Sequence, residues 1–453
     1  MNKLTFISKP IVSSRERPSK SIRGELRVPG DKSISHRSVV LGAIAEGVTE
    51  VSGFLQGEDN LATVNAFRAM GVEIAQHNAT QLTIVGVGLH GLKTPPTMLD
   101  LGNSGTSMRL LSGLLAGQSF NSVLTGDTSL LKRPMRRVTS PLTEMGANIA
   151  TANAGMPPLS ITATRGLRAI DYVMPVASAQ VKSCLILAAL YAKGITRITE
   201  PALTRDHTER MLAGFGCTLD REGAREGDRA GNTIVVNPQG VRLSASKVDV
   251  PADISSAAFF LVAASIVPGS DLLLQHVGIN PTRIGVINIL VQMGANITLQ
   301  NEREMGGEPV ADIRVRSANL KGIHIPEDQV SLAIDEFPAL FIAAACATGE
   351  TVLTGAEELR VKESDRIQSM ADGLLAIGVD AVSRDDGIVI QGGGNIVGGE
   401  VDSHGDHRIA MAFTMAGLVA KAPITIRDCR NVDTSFPDFI ELACQVGVNV
   451  ELA

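Results

Sequence analysis

The chain has no tryptophan and two tyrosines, Tyr172 and Tyr191, and aromatic residues make up 3% of it. That scarcity removes the stacking platforms on which readers of single-stranded nucleic acid, and many nucleotide sites, depend. An excess of positive charge is missing too. The formal net charge is −6, so nothing draws the whole molecule toward nucleic acid or an anionic membrane, and any binding of anions must be local. The longest apolar stretches, near Phe259–Val267 and Ala339–Ala347, are too short and too interrupted to span a bilayer. Residues 1–20 hold Lys3, Lys9, Arg15, Glu16, Arg17 and Lys20 without an apolar block, so no secretory signal is visible and the cytoplasm is the expected location. Cys184, Cys217, Cys346, Cys429 and Cys444 are scattered and odd in number, without the paired spacing of metal or redox sites, and most are expected to be reduced and buried. The histidines show no complementary ligand spacing either, so no metal is expected. These absences leave a ligand that is small, anionic and not a planar base.

What is present is repetition. A chain of 453 residues with 44% apolar content exceeds one ordinary core and supports two or more domains. A glycine that closes an amphipathic helical pattern and opens an alternating strand pattern recurs at Gly71, Gly146, Gly216, Gly294, Gly378 and Gly447. Such a recurrence predicts six copies of one mixed helix-and-strand unit, an α/β fold, with each glycine a left-handed helix cap. About 40 residues before each glycine lies a small, polar run that leads into an apolar helix. The runs are Pro29–Ser33, Leu101–Thr106, Val176–Gln180, Val250–Ser256, Ala333–Phe337 and Val401–Asp406. Each predicts a helix N-terminus, where unpaired N–H groups and the positive end of the dipole favour anions. Lys32, Arg37, Arg109, Lys182 and Arg408 stand close to four of the six. Ordinary capping by Ser, Asp and Gly is the plainer explanation of any single run.

Six units divide naturally as three and three, with a boundary in Leu243–Val250. The lobes are drawn as residues 30–249 and residues 1–29 with 250–453; the first strand pattern, Gly24–Pro29, could by pattern alone pair with either. Asp220–Arg229 is charged and glycine-rich and predicts a surface hairpin loop.

Several constellations carry chemistry. In Pro29–Arg37, Lys32 and Ser33 stand at a helix start with Arg37 one turn on, a pattern for phosphate or carboxylate that lacks the spacing of a nucleotide P-loop. Lys132, Arg133, Arg136 and Arg137 follow a turn; they read as a solvated charge run or, with Pro134 stiffening the backbone, as a held guanidinium for bidentate recognition. Lys362 and Arg366, four apart, would share a helix face with Glu363 beside them, either as a surface ion-pair helix or, together with Asp335, as a general acid and base pair. In Asp402–Arg408 the simpler reading is a capped helix start that positions Arg408 rather than a metal site. Arg205–Thr208 offers one cation at a helix start, or a capping box.

Taken together, Pro29–Arg37, Leu101–Arg109, Ser178-Ala179-Gln180, Lys362–Arg366 and Asp406-His407-Arg408 closely resemble the 5-enolpyruvylshikimate-3-phosphate synthase family, over nearly the whole chain. Leu110 and Lys132–Met135 look like its second class, noted for forms that tolerate glyphosate. The resemblance implies the enolpyruvyl transferase fold, an inverse α/β barrel-like pair of lobes with three repeated units each. It implies transfer of the enolpyruvyl group of phosphoenolpyruvate to the 5-hydroxyl of shikimate 3-phosphate, on the route to chorismate and the aromatic amino acids, with no metal or cofactor. Carried onto this sequence, it gives Lys32, Ser33, Arg37, Ser178, Ala179, Gln180, Arg205, Asp335 and Lys362 to shikimate 3-phosphate. Lys32, Gly105, Arg133, Gln180, Arg366 and Arg408 would surround phosphoenolpyruvate. Asp335 would take the hydroxyl proton, and Glu363, with Lys32, the proton at the methylene carbon. So many cations gathered without a counter-anion imply a site that stands open when empty and closes on its two anions. A monomer is expected.

Two departures stand out. Thr434 occupies the place where the commoner class has a lysine, and Gly105 the place where a tolerant enzyme of the second class carries alanine, whose methyl would crowd the inhibitor. Two rival readings remain. A related transferase acting on a UDP-sugar uses a loop cysteine, but the corresponding turn, Gly126–Ser129, has no thiol, and Cys429 reads as structural. A repeat-built nucleic-acid clamp conflicts with the acidity and the missing aromatics.

Overall fold

All six repeated glycines adopt the left-handed backbone, with φ of +85° at Gly71, +92° at Gly146, +89° at Gly216, +91° at Gly294, +85° at Gly378 and +100° at Gly447. An L side chain is strained in that region, which explains a residue without Cβ at each. At Gly71 the cap is a Schellman pair: its N–H donates to Arg68 O at 3.0 Å, and Val72 N–H reaches back to Phe67 O at 3.1 Å. The structure is a computed structural model that describes residues 4–11, 21–223 and 233–453. Lys3, Arg15, Glu16, Arg17 and Lys20 of the N-terminal stretch, and residues 224–229 of the expected surface loop, lie outside the described residues. The described start of that loop, Asp220–Glu222, is a strand paired antiparallel with Thr233–Val236.

Two compact units make up the chain. The N-terminal unit comprises Gly30–Val250 with Met305–Glu308, and the C-terminal unit Met1–Pro29, Pro251–Glu304 and Pro309–Ala453. In the N-terminal unit the helices are α1 (Lys32–Ile44), α2 (Glu58–Ala69), α3 (Gly105–Ala116), α4 (Arg136–Glu144), α5 (Ala179–Ala189) and α6 (His207–Gly214). Three four-stranded sheets cover them, each with one parallel pair and then two antiparallel steps. α1, α3 and α5 are buried along most of their length, and α3 lies so close to α5 that a Cβ on Gly113 would stand 2.0 Å from Cys184 O.

The C-terminal unit repeats the plan with α7 (Ile254–Ile266), α8 (Gly285–Gln292), a short α9 (Glu327–Val330), α10 (Phe337–Cys346), α11 (Arg366–Ala376), α12 (His407–Ala416) and α13 (Phe439–Gln445). Here α7, α10 and α12 are the buried helices, and α7 and α10 are apolar on nearly every side as central helices must be. All six polar runs therefore open a buried helix.

Strand pairing adds what periodicity could not give. Arg23–Leu26 lies parallel to Asp271–Gly278 in the C-terminal unit, which settles the home of the first strand pattern. Lys247–Asp249 lies parallel to Glu46–Ser52 in the N-terminal unit. Each of these strands precedes a buried helix of the other unit, so the chain crosses at Pro29–Gly30 and again at Val250–Pro251. In the sixth copy, Phe6–Ser8 supplies the strand between Ile424–Arg427 and Val450–Leu452. The fifth copy keeps three strands and reduces its parallel strand to the bridges Lys321↔Thr348 and His324↔Val352.

All five cysteines are free; Cys184, Cys217 and Cys429 are buried and Cys444 is exposed. Among the described residues no helix is long and apolar enough to cross a membrane.

Candidate functional site

In the N-terminal unit the expected residues gather at the starts of α1, α3 and α5. Asp31 caps α1 by accepting Ile34 N–H at 2.8 Å. Lys32, the first helical residue, places Nζ 2.5 Å from Asp59 Oδ2, a carboxylate in the first turn of α2. Arg37, one turn past Ser33, is 4% exposed, and its guanidinium donates to Thr208 Oγ1 at 2.7 Å, Ser183 Oγ at 2.8 Å and Ser33 O at 3.0 Å. Burial pulls its pKa down to about 10, with nearby Arg205 adding to the fall and Glu209 and Asp31 opposing it.

Ser104 caps α3 and Ser178 caps α5. One turn into α3, Arg109 donates to Gln180 Oε1, while Gln180 Nε2 donates to Thr106 Oγ1 at 2.9 Å. The amide of Gln180 is therefore oriented from both ends. Arg133 follows a 3₁₀ turn and donates to Asn103 O at 3.2 Å, Asn103 Oδ1 at 2.5 Å and Ser129 Oγ at 3.2 Å. Its guanidinium is held, as one reading of that basic stretch expected, and the groups that hold it are Asn103 and Ser129. A Cβ on Gly105 would meet Arg109 Nη1 at 2.9 Å and Arg133 Nη1 at 3.3 Å, so a methyl there crowds two guanidinium groups first.

Lys182 corrects an expectation. It is 0% exposed, with Nζ 3.0 Å from Glu200 Oε2 and 2.9 Å from Glu209 Oε1, and it offers no charge at the helix start. A buried ammonium needs carboxylates, and the face of α5 on which Lys182 falls turns inward. The capping box at Asp206 is absent as well: Asp206 makes no cap hydrogen bond, and its carboxylate receives Arg210 Nε at 2.9 Å.

In the C-terminal unit Arg366 organises the site. Its side chain is 1% exposed; Nε donates to Asp406 Oδ2 at 2.8 Å, Nη2 to Glu363 Oε2 at 2.6 Å and Nη1 to Asp335 Oδ1 at 3.4 Å. Burial opposes its charge most strongly, but Asp406, Glu363 and Asp335 together outweigh that and raise its pKa. Burial likewise favours the acid form of Asp406, and Arg366 overcomes it and holds the carboxyl below its usual range. Asp406 also caps α12 through Arg408 N–H at 2.9 Å. Arg408 Nη1 donates to Asp335 O at 2.9 Å.

Lys362, Glu363 and Arg366 do not share a helix face. α11 begins at Arg366 and is capped by Asp365, so Lys362 and Glu363 stand in the preceding turn. What joins Lys362 to Arg366 is Asp335, with Lys362 Nζ 3.6 Å from the oxygen that Arg366 also approaches. Thr434 is buried and donates to Asn431 O at 2.7 Å. Asn431 Nδ2 in turn donates to Gly405 O at 2.6 Å, bracing the loop before α12. Cys429 is a buried thiol pushed up to about 12 by burial, which fits a structural role. Among the described residues no group of three or more His, Cys, Asp or Glu has the arrangement to hold a metal ion.

Comparison with known proteins gives the family. The family described as EPSP synthase (3-phosphoshikimate 1-carboxyvinyltransferase) matches residues 16–442. The chain belongs to the EPSP synthase family. It is 66% identical over 436 residues to the 3-phosphoshikimate 1-carboxyvinyltransferase of Methylococcus capsulatus, covering 96% of this chain and 98% of that protein. Its identity to the protein of the same name from Legionella pneumophila is 57% over 448 residues, 99% of each. Against the 2.37 Å structure of EPSP synthase from Acinetobacter baumannii the TM-score is 0.86 at 56% identity, covering 99% of this chain and 100% of that one.

Within this EPSP synthase family fold, three residues escaped the sequence reading of the site. Asp59, Asn103 and the carboxylate of Asp406 hold Lys32, Arg133 and Arg366 respectively. Asn103 and Asp406 lie inside motifs already singled out, so their signal was position; Asp59 lies outside every motif named above, and only the structure places it in the first turn of α2.

Proposed function

We propose that this chain transfers the enolpyruvyl group of phosphoenolpyruvate to the 5-hydroxyl of shikimate 3-phosphate and releases inorganic phosphate. The observation that carries this reading is the cluster in which Asp335 and Glu363 are both bound to the one guanidinium of Arg366.

The reaction needs two proton sites. The 5-hydroxyl oxygen bonds to C2 of phosphoenolpyruvate as its proton leaves, and the methylene carbon takes up a proton, giving a tetrahedral phosphoketal. Breaking the bond from C2 to the phosphate oxygen, with loss of a methyl proton, restores the double bond. Asp335 takes the hydroxyl proton, and Glu363, with Lys32, gives and retrieves the proton on carbon. General acid and base groups so placed contribute about 10²–10⁴-fold each.

Lys32, Ser33, Arg37, Ser178, Ala179, Gln180, Arg205 and Lys362 hold shikimate 3-phosphate in this reading, and Lys32, Gly105, Arg133, Gln180, Arg366 and Arg408 hold phosphoenolpyruvate. Support comes from the three helix starts of the N-terminal unit, which bring N–H groups and cations to one end of α1, α3 and α5. A cytoplasmic monomer without a nucleic-acid partner completes the reading, and net acidity and scarce aromatics support the last of these.

The test is phosphate release from phosphoenolpyruvate in metal-free buffer, with and without shikimate 3-phosphate. Release that depends on shikimate 3-phosphate and survives a chelator is expected. Release that ignores it, or requires a UDP-sugar instead, would overturn the reading.

A further inference from the structure

Two loops of the N-terminal unit are zipped together beside Arg133. Leu101 N–H donates to Thr125 O at 3.0 Å and Asp127 N–H to Gly102 O at 2.8 Å. The approach is close enough that a Cβ on Gly126 would stand 2.5 Å from Gly102 O. Gly102 takes the left-handed backbone, φ +57°, where a side chain is disfavoured. One side-chain bond completes the zipper: Asn103 Nδ2 donates to Asp127 Oδ2 at 2.8 Å. The other oxygen of Asp127 accepts Ser129 N–H at 3.0 Å and Leu130 N–H at 2.7 Å, fixing the turn that leads to Arg133.

An amide has one donor end and one acceptor end. Because Asp127 takes the donor end of Asn103, the carbonyl end must face Arg133, and the 2.5 Å bond from Nη2 to Oδ1 is the result. Asn103 O and Ser129 Oγ receive the remaining bonds. Every one of these acceptors is neutral, so the guanidinium is fixed in its plane while its charge stays available to an anion.

We infer that Asp127 and Asn103 are positioning residues for phosphoenolpyruvate: Asp127 sets the orientation of the Asn103 amide, and Asn103 sets the plane of the Arg133 guanidinium. This rests on the reading above that Arg133 binds phosphoenolpyruvate. Neither residue needs to touch substrate. Asp127 is exposed and does its work through two hydrogen-bonded steps.

Steady-state kinetics of Asn103→Ala, Asp127→Ala and Arg133→Lys, singly and with each of the first two combined with Arg133→Lys, test the inference. Loss of one charge-assisted hydrogen bond predicts a KM for phosphoenolpyruvate raised about tenfold in Asn103→Ala and in Asp127→Ala. The KM for shikimate 3-phosphate should stay within about twofold, because a positioning effect on one substrate leaves uniform binding of the other alone. In the Arg133→Lys background, whose ammonium cannot use the bracket, both effects should vanish. Equal effects with and without Arg133, or no change in the KM for phosphoenolpyruvate in the single variants, would overturn the inference. Should Arg133→Lys leave that KM unchanged, the parent reading fails and the inference with it; a raised KM in Arg133→Lys with silent Asn103→Ala and Asp127→Ala sinks the inference alone. If Asp127→Ala loosens the turn enough to unfold the unit, Asn103→Ala decides, with the binding of shikimate 3-phosphate as the measure of intact structure.

Discussion

Arg37 and Arg133 of the N-terminal unit and Arg366 of the C-terminal unit are held in opposite ways. In the N-terminal unit the hydrogen bonds of Arg37 and Arg133 end on hydroxyl and carbonyl oxygens, which fix the groups without cancelling their charge. In the C-terminal unit Arg366 is met by three carboxylates, Asp335, Glu363 and Asp406. A held but uncancelled guanidinium suits the binding of an anion. A guanidinium matched by several carboxylates instead fixes their geometry and charge state, as proton transfer requires. In the proposed reading the C-terminal unit adds the acid–base pair Asp335 and Glu363 to its binding cations, while the N-terminal unit, apart from Lys32, is chiefly the binding half. The helix starts are common to both, and the partners of the cations make the difference.

Removing the two carboxylates to which the proposed reading gives the protons should break this comparison most severely. Asp335→Asn and Glu363→Gln each should lower kcat about 10²–10⁴-fold. Equilibrium dialysis with shikimate 3-phosphate should show binding nearly intact in Glu363→Gln, because the proposed reading gives this carboxylate the proton on carbon and no contact to that substrate. A Glu363→Gln enzyme with normal kcat and weakened binding would assign the carboxylate to the binding half instead.

Next comes the buried core of the acidic cluster. Asp406 and Arg366 are 0% and 1% exposed on their side chains, and stripping one partner from such a pair leaves an uncompensated charge in the interior. Asp406→Ala should cost about 3–5 kcal/mol of stability, read from the midpoint of urea unfolding. A loss below about 1 kcal/mol would place the pair among exposed ion pairs in energetic terms and remove the argument that it anchors Asp335 and Glu363.

Much of the fold could be read before any coordinates, because its signals are local. The glycine at each helix end is forced by a positive φ, and a polar run must precede each buried helix, so six copies were visible in one dimension. Strand exchange was not. Nothing local distinguishes Arg23–Leu26 pairing with Asp271–Gly278 from pairing within its own unit, nor marks Phe6–Ser8 as the missing strand of the sixth copy. The site divides the same way. Lys32, Gln180, Arg366 and Arg408 were legible as motif members, whereas Lys182 looked equally cationic and turned out to be tied inward by Glu200 and Glu209. Whether a lysine at a helix start faces ligand or core depends on the carboxylates that tertiary structure delivers.

A milder perturbation sharpens the binding half. Exchanging Arg133 for lysine keeps the charge but loses the planar fork, so Arg133→Lys should weaken phosphoenolpyruvate by about 1.5–3 kcal/mol, measured as the change in its KM. Arg366→Lys, tested beside it, should lose more stability than affinity, since three carboxylates shape its surroundings. Equal behaviour of the two variants would erase the distinction between the units.

Acid gives the gentlest test, and the two units should answer it at different pH. His36 on α1 is buried, with Nδ1 2.8 Å from Thr63 Oγ1, and the charges acting on it are Lys32, Arg37 and Asp31. Burial first, then the two cations, lower its pKa well below 6.5, and Asp31 only partly offsets them. The folded state therefore refuses a proton that the unfolded chain accepts below about pH 6.5, so stability falls as pH drops through that value, by about 1.4 kcal/mol per pH unit until the folded imidazole titrates. Asp406 is depressed as well, but from a carboxylate reference near 3.9, so its contribution persists to about pH 4 and is lost only below that. Urea midpoints between pH 7 and 5 should thus slope because of His36 and not because of Asp406. Substituting His36→Asn, which can keep a bond to Thr63 without titrating, should flatten that part of the curve and leave the fall below pH 4 in place. A curve already flat from pH 7 to 5 in the unaltered protein would mean that the α1 start accommodates an imidazolium, and the excess of positive charge assigned to the binding half would then be too large.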